Sequence, residues 1–201
     1  VFDGRISSFP SGSISTESVQ LLRETLLSVG KTEGVLGILD TSIETVYTRK
    51  AKEYKLLLDA VVSAITLEEK LKNIPLLIGL GPGFTPSGDD FIAGVILGYT
   101  VSSYCTAFHK TCASLLPPPI EKILGHIDNT TYGGSTLLYL VCRQQFPRYM
   151  KNFSDLFCTA KETESISRAV QETISYGQTS GTDMLTGFIW YLLLIQKTGY
   201  F

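Results

Sequence analysis

Cysteine and histidine are scarce in this chain and charge is thin. Four cysteines (Cys105, Cys112, Cys142 and Cys158) and two histidines (His109 and His126) are spread over 201 residues. No Cys-x-x-Cys pair occurs, which disfavours both a zinc site and a disulfide framework and makes a reducing, cytoplasmic setting the expected one. Neither histidine has a partner near it in sequence, so both read as surface or core residues rather than catalysts. Charged residues make up 18% of the chain, the formal net charge is −2, and no basic block exceeds two or three residues. That excludes the electrostatic footprint expected of a nucleic-acid binder.

Long uninterrupted apolar runs are missing as well. The two most apolar stretches are 91–108 and 184–195. The second falls short of the ~20 residues that span a bilayer. The first is broken by Gly, Thr and Ser and begins beside two aspartates, so both read as buried helices and no membrane partner is expected. No signal peptide is visible. The first residue is Val1 rather than Met, as expected of a fragment or a trimmed chain. Alternating, strand-like patterning is nearly absent.

What is present is helix. Hydrophobic residues make up 44% of the chain, enough to bury a sizeable core. Residues 1–15 read as an extended segment and linker, with Val1 to Ile6 resembling the tail of a strand; residues 16–201 read as one helical domain. Ser15 or Thr16 caps a first helix whose Val19, Leu22, Leu26 and Val29 share a face, and Gly30 stops it. Residues 34–39 fit a short strand or a helical turn equally well. A long helix is expected over 44–65, from the spacing of Tyr54, Leu57, Leu58, Val61, Val62 and Ile65. Thr66 and Glu69 form a capping box for a short helix that Pro75 ends. Further helices are predicted at 88–107, 118–128, 133–145, 147–158, 163–176 and 181–197.

One phrase occurs twice. Ser87-Gly88-Asp89-Asp90-Phe91-Ile92-Ala93-Gly94 and Ser180-Gly181-Thr182-Asp183-Met184-Leu185-Thr186-Gly187 both read Ser-Gly-x-Asp, two apolar residues, a small residue, then Gly. Taken singly, each fits a capping box, with the serine and the acid three positions along satisfying first-turn amides. Gly88 and Gly181, however, are not needed by a cap and weaken a helix by about 1 kcal/mol relative to Ala, while their bare backbone admits a ligand to the amides. The first copy also follows Gly79-Leu80-Gly81-Pro82-Gly83-Phe84-Thr85-Pro86, a stiff, sterically open loop able to aim several N–H groups at an anion. Gly94, Gly98 and Gly187 permit two helices to cross closely. A crossing there, about a pseudo-two-fold axis, brings Asp90 and Asp183 to one cleft.

The expected site is therefore composite and takes a small anionic substrate. Asp89, Asp90 and Asp183 are the candidate catalytic acids; Asp89, which the repeat does not demand, is the favoured one, and carboxylates of this kind serve as general bases or Mg²⁺ ligands. Gly81, Gly83, Thr85, Ser87, Gly88, Ser180 and Gly181 are candidate substrate contacts. Thr131 and Ser135, in a third polar turn ahead of a helix, are further candidates, with a simple cap as the plainer reading. Trp190, Tyr191 and the leucines after them read as core.

Residues 79–91 resemble the signature of the family of the AllH-type subunit of oxamate carbamoyltransferase. Gly177-Gln178-Thr179-Ser180-Gly181-Thr182-Asp183 is similar to its C-terminal signature, and Thr131 with Ser135, then an apolar helix and Phe146-Pro147, to its intermediate segment. The resemblance runs over about 75–197, with Phe84 where leucine is usual. It implies a subunit of a multi-subunit enzyme that exchanges a carbamoyl group between carbamoyl phosphate and oxamate, in anaerobic allantoin and purine breakdown, alongside a subunit resembling acyl-CoA synthetases. It also implies an N-terminal β-rich domain, of which residues 1–15 would be a remnant. With no Cys or Ser–His nucleophile evident, direct attack by the substrate amide is expected rather than a covalent intermediate. A Mg²⁺-dependent helical hydrolase, with Asp89, Asp90 and Asp183 as ligands, and a non-catalytic metabolite-binding or scaffolding subunit are the alternatives.

Overall fold

The computed structural model describes residues 3–6, 14–44, 64, 66–104, 115–159 and 163–197. Eight α-helices occur among them: α1 (Thr16–Val29), α2 (Leu67–Asn73), α3 (Ser87–Tyr104), α4 (Ile120–Gly125), α5 (Tyr132–Val141), α6 (Arg148–Thr159), α7 (Thr163–Ile174) and α8 (Ser180–Lys197). Three 3-10 turns, Leu36–Ile38, Ile74–Leu77 and Ile127–Asn129, join them. The protein is mainly α, and no strand is present among the described residues.

The sequence signals explain most of these boundaries. Ser15 caps α1 by accepting from the Ser18 amide at 3.1 Å, and the chain turns out of the helix at Gly30. The Thr66–Glu69 capping box closes in both directions at 3.1 Å, an arrangement in which the cap residue contributes about 1 kcal/mol. Residues 34–39 resolve as the 3-10 turn Leu36–Ile38. Residues 3–6 are not strand; they lie against the start of α6, with Phe146 N–H donating to Gly4 O at 2.9 Å and Lys151 Nζ to Arg5 O at 3.1 Å. The predicted 44–65 helix, His109, Cys105 and Cys112 lie outside the described residues.

At the centre α3 and α8 pack along their length. Fifteen of the eighteen residues of α3 and fourteen of the eighteen of α8 are buried, so both run through the core instead of presenting a polar face to water. The amphipathic helices α6 and α7 pack on one another and sheathe the pair; α7 lies against α8, and Phe153 and Phe157 of α6 meet Phe188 edge-on at 5.0 and 5.5 Å. Helix α1 rests on α7 and α8, while α5 rests on α3.

The α3–α8 crossing is reciprocal. A Cβ at Gly94 would overlap the carbonyl oxygen of Met184, and a Cβ at Gly187 would overlap that of Phe91. Met184 and Phe91 hold the same place in the two copies of the repeat, one residue after the shared aspartate. The expected close crossing about a pseudo-two-fold is thus found, with each glycine seated on the other helix's main chain.

Replacing Gly94 or Gly187 by Ala should therefore separate the central helices. We expect each to cost about 1–3 kcal/mol or more, seen as a drop of several degrees in thermal melts. Gly125→Ala, where a Cβ meets nothing within 4 Å, should be neutral or mildly stabilising; equal melting of all three variants would refute the crossing.

Candidate functional site

The two Ser-Gly-x-Asp phrases start their helices at the serine itself, one residue earlier than a serine cap would place the start. The amides of Asp89 and Asp90 are taken by the carbonyl of Pro86, and that of Asp183 by the carbonyl of Thr179. The serines are freed to act across the crossing. Hydrogen bonding from Ser180 acts on Asp90 and hydrogen bonding from Ser87 acts on Asp183, so each helix start supplies a hydroxyl for the other's acid. The capping boxes expected from the spacing are replaced by this exchange.

Three acids, three environments. Asp89 is fully buried and both of its oxygens are committed: Gly79 N–H donates to one at 2.9 Å and the Thr130 hydroxyl to the other. It ties the glycine loop to the turn before α5. Thr182, its counterpart in the repeat, does the same for another segment, accepting from Lys31 N–H at 3.2 Å. Asp183 accepts from Val35 N–H at 2.7 Å, directly beneath Gly34, where no Cβ would fit. Asp90 faces a cleft. The Oδ2 atoms of Asp90 and Asp183 are buried without a hydrogen-bond partner among the described residues.

Burial dominates their electrostatics. It raises Asp89 above the ordinary carboxylate range against the pull of its Thr130 and Gly79 bonds. It pushes Asp90 up to about 8, helped by the neighbouring Asp183 and Asp89 and opposed by Ser180 and Thr85. Asp183 rises to about 6, again through burial, with the Val35, Ser87 and Thr179 bonds restraining it. Asp90 is therefore mostly a neutral carboxylic acid at pH 7.

The cleft has a volume of about 670 Å³. Gly83, Phe84 and Thr85 of the glycine loop form one part of its wall, and Gly177, Gln178, Thr179 and Ser180 another. Thr85 and Ser180 hydroxyls approach to 3.2 Å where the two segments meet. The loop's shape comes from its glycines: Gly79 has φ +75° against the Asn129 carbonyl, and Gly83 has φ +106° with nearly open space around it, a backbone region that L side chains resist. Phe84, 72% exposed, sits at the rim; its carbonyl accepts from the Thr131 hydroxyl at 2.6 Å, and Gly133 lies under its ring.

Of the predicted site residues, Gly83, Thr85, Asp90 and Ser180 line the cleft together. Ser87, Asp89 and Asp183 are buried close behind it. Gly88 and Gly181 are filled by main chain: a Cβ would overlap the carbonyls of Leu77 and Thr173, and their N–H groups already donate to Leu80 O and Tyr176 O. Gly81, Thr131 and Ser135 do not line it. Thr131 caps α5, accepting from Gly134 N–H at 3.0 Å, and Ser135 returns its hydroxyl to Tyr132 O at 3.0 Å. The three aspartates do not converge on one cation, and among the described residues no group of three His, Cys, Asp or Glu side chains is placed to hold a metal ion. Sequence reasoning missed further lining residues, among them Glu33, Tyr149, Tyr176 and Gln178.

The family model described as oxamate carbamoyltransferase subunit AllH matches residues 77–192, a span that contains the glycine loop, Asp90, Tyr149 and the second motif. The chain belongs to the AllH family. The family takes its name from a subunit, so further subunits are implied. No curated protein and no solved structure matches. None of the helices among the described residues is long and apolar enough to cross a membrane.

The two raised aspartates make stability pH-dependent. An unfolded aspartate releases its proton near pH 4, whereas Asp183 and Asp90 in the fold hold theirs to about 6 and about 8. Between those values the native state binds more protons than the unfolded state, so stability falls as pH rises from 4 through 6 and 8. Asp90→Asn should flatten the fall between pH 4 and 8, where between 6 and 8 Asp90 alone of this pair contributes, recovering up to a few kcal/mol above pH 8 in urea denaturation; parallel curves for variant and parent would contradict the assignment.

Proposed function

We propose that this chain is the substrate-binding subunit of a carbamoyltransferase acting on carbamoyl phosphate and oxamate, with the cleft as the substrate site and Asp90 as its proton-handling group. The observation that carries this reading is the meeting of both family motifs on one cleft around a buried carboxyl with one unpartnered oxygen: Gly83 and Thr85 from one, Ser180 from the other, Asp90 between them. A buried acid poised near neutral pH in a cleft is what acid–base chemistry requires.

The transfer needs no covalent enzyme intermediate. The oxamate nitrogen attacks the carbamoyl carbon; the new C–N bond forms and the C–O bond to phosphate breaks. Asp90, neutral at the outset, gives its proton to the departing phosphate oxygen and takes the proton released from nitrogen, ending as it began. Ser180 and Thr85 hold the carboxyl through both transfers. Ser87 and Asp183 support it from behind, Asp89 fixes the loop, and partner subunits, including one resembling acyl-CoA synthetases, complete the enzyme. An anionic substrate and a cytoplasmic setting in purine breakdown follow from the same reading.

In the enzyme assembled with its partner subunits, Asp90→Asn should lower kcat for phosphate release by about 10²–10⁴. The asparagine amide still donates a hydrogen bond, so KM should change far less. Full turnover in that variant would eliminate Asp90 from the chemistry, whereas loss of activity on Ser87→Ala with retention on Asp90→Asn would move it to Asp183.

A further inference from the structure

Tyr149 stands in the first turn of α6, two residues after Pro147, and lines the same cleft as Asp90. Its ring stacks on Tyr176 with centroids 3.9 Å apart and 11° between planes. Tyr176 lies in the turn that leads into α8, so the stacked pair joins α6 to the second motif. Asp90 is near enough for its charge to act on the Tyr149 phenol. Buried polar groups are ordinarily hydrogen-bonded. Here the half-buried Tyr149 lines the cleft at which Asp90 Oδ2 is buried without a partner among the described residues.

We propose that Tyr149 is a ligand-contacting residue, its hydroxyl and Asp90 together receiving the oxygens of one carboxylate or phosphoryl group. This rests on the reading of the cleft as the substrate site. Among the described residues the lining contains no lysine or arginine, and the titratable groups facing Asp90 and Tyr149 are Glu33, Asp89, Asp183 and Tyr176. An anion held here must be met by neutral O–H donors. Burial supplies them: it drives the Tyr149 phenol well above its ordinary value and keeps Asp90 protonated to about 8. Stacking on Tyr176 holds the phenol in place, so little rotamer freedom is lost on binding.

The test is calorimetric titration of the full chain at pH 7 with inorganic phosphate and, separately, with oxamate, beside thermal melts. Tyr149→Phe should keep the parental melting temperature and weaken binding by about ten- to a hundredfold, the loss expected for one hydrogen bond to a charged group. Tyr132→Phe, at an exposed tyrosine that does not line the cleft, should bind as the parent does. The anion whose affinity falls more on Tyr149→Phe is the one whose group sits there. Parental affinity for both anions in folded Tyr149→Phe, with weakening in Asp90→Ala, would overturn the role of Tyr149 and leave the cleft standing. Binding of neither anion by the parent chain would overturn both.

Discussion

The rest of this structure depends on the contact between two glycines and two carbonyls. Gly94 seats on Met184 O and Gly187 on Phe91 O, and this sets both the distance between α3 and α8 and their register. Because each glycine lies four residues beyond its helix's aspartate, fixing the crossing also fixes where the two first turns lie. They end up side by side, with Ser87 acting on Asp183 and Ser180 on Asp90. A larger residue at either glycine would push apart the hydroxyls and acids that the repeat brings together, so packing and site geometry are one constraint.

That constraint has an electrostatic cost. Placing two carboxyls in a dry first turn without a cation beside them raises both, since burial penalises the charged form and each disfavours ionisation of its neighbour. The fold offsets part of the cost unequally. Asp183 receives the Val35 amide and moves to about 6; Asp90, facing the cleft, receives only hydroxyls and moves to about 8. Two chemically identical residues in repeated positions are thereby driven apart, one holding segment 31–35 and the other left protonated at the cleft. Asp89 and Thr182 complete the division of labour by anchoring the loops that arrive on each side.

Much of this was legible in the sequence, and the reasons differ by feature. Period-3.6 spacing, the Ser15 and Thr66 caps and the glycine stops are local, so the helices fell close to where they were expected. The crossing was legible because a repeated small residue four positions past a repeated acid is informative at any separation. The roles of the serines were not, since a cap and a cross-helix hydroxyl share one spacing and differ only by where the helix begins. Gly88 and Gly181 invited the same ambiguity: a missing side chain admits a ligand or a carbonyl equally well, and here it admits a carbonyl. Tyr149 gave no signal, because nothing local ties it to Asp90, 59 positions away; only the packing of α6 on the central pair brings them together.

The glycine loop invites an anion-binding reading through its amides, yet Gly79 N–H goes to Asp89 and Gly88 N–H to Leu80. Two of the donors such a loop would offer are already in use, and among the described residues no basic side chain lines the cleft. Hydroxyl donors stand beside its remaining amides: Thr85, Ser180, Tyr149 and the protonated form of Asp90. Neutral donors in a site of low dielectric bind an oxyanion through dipoles that are already oriented, and they do so without a cation that would draw Asp90 back into its ionised form. A lysine in this cleft would strengthen anion binding but lower the acid's affinity for its proton. On the proposed reading, the acid would then have little left to give a departing phosphate. The lack of basic residues in the described lining and the raised Asp90 are thus consistent with one another, and under that reading binding and proton transfer would fall to one set of O–H groups.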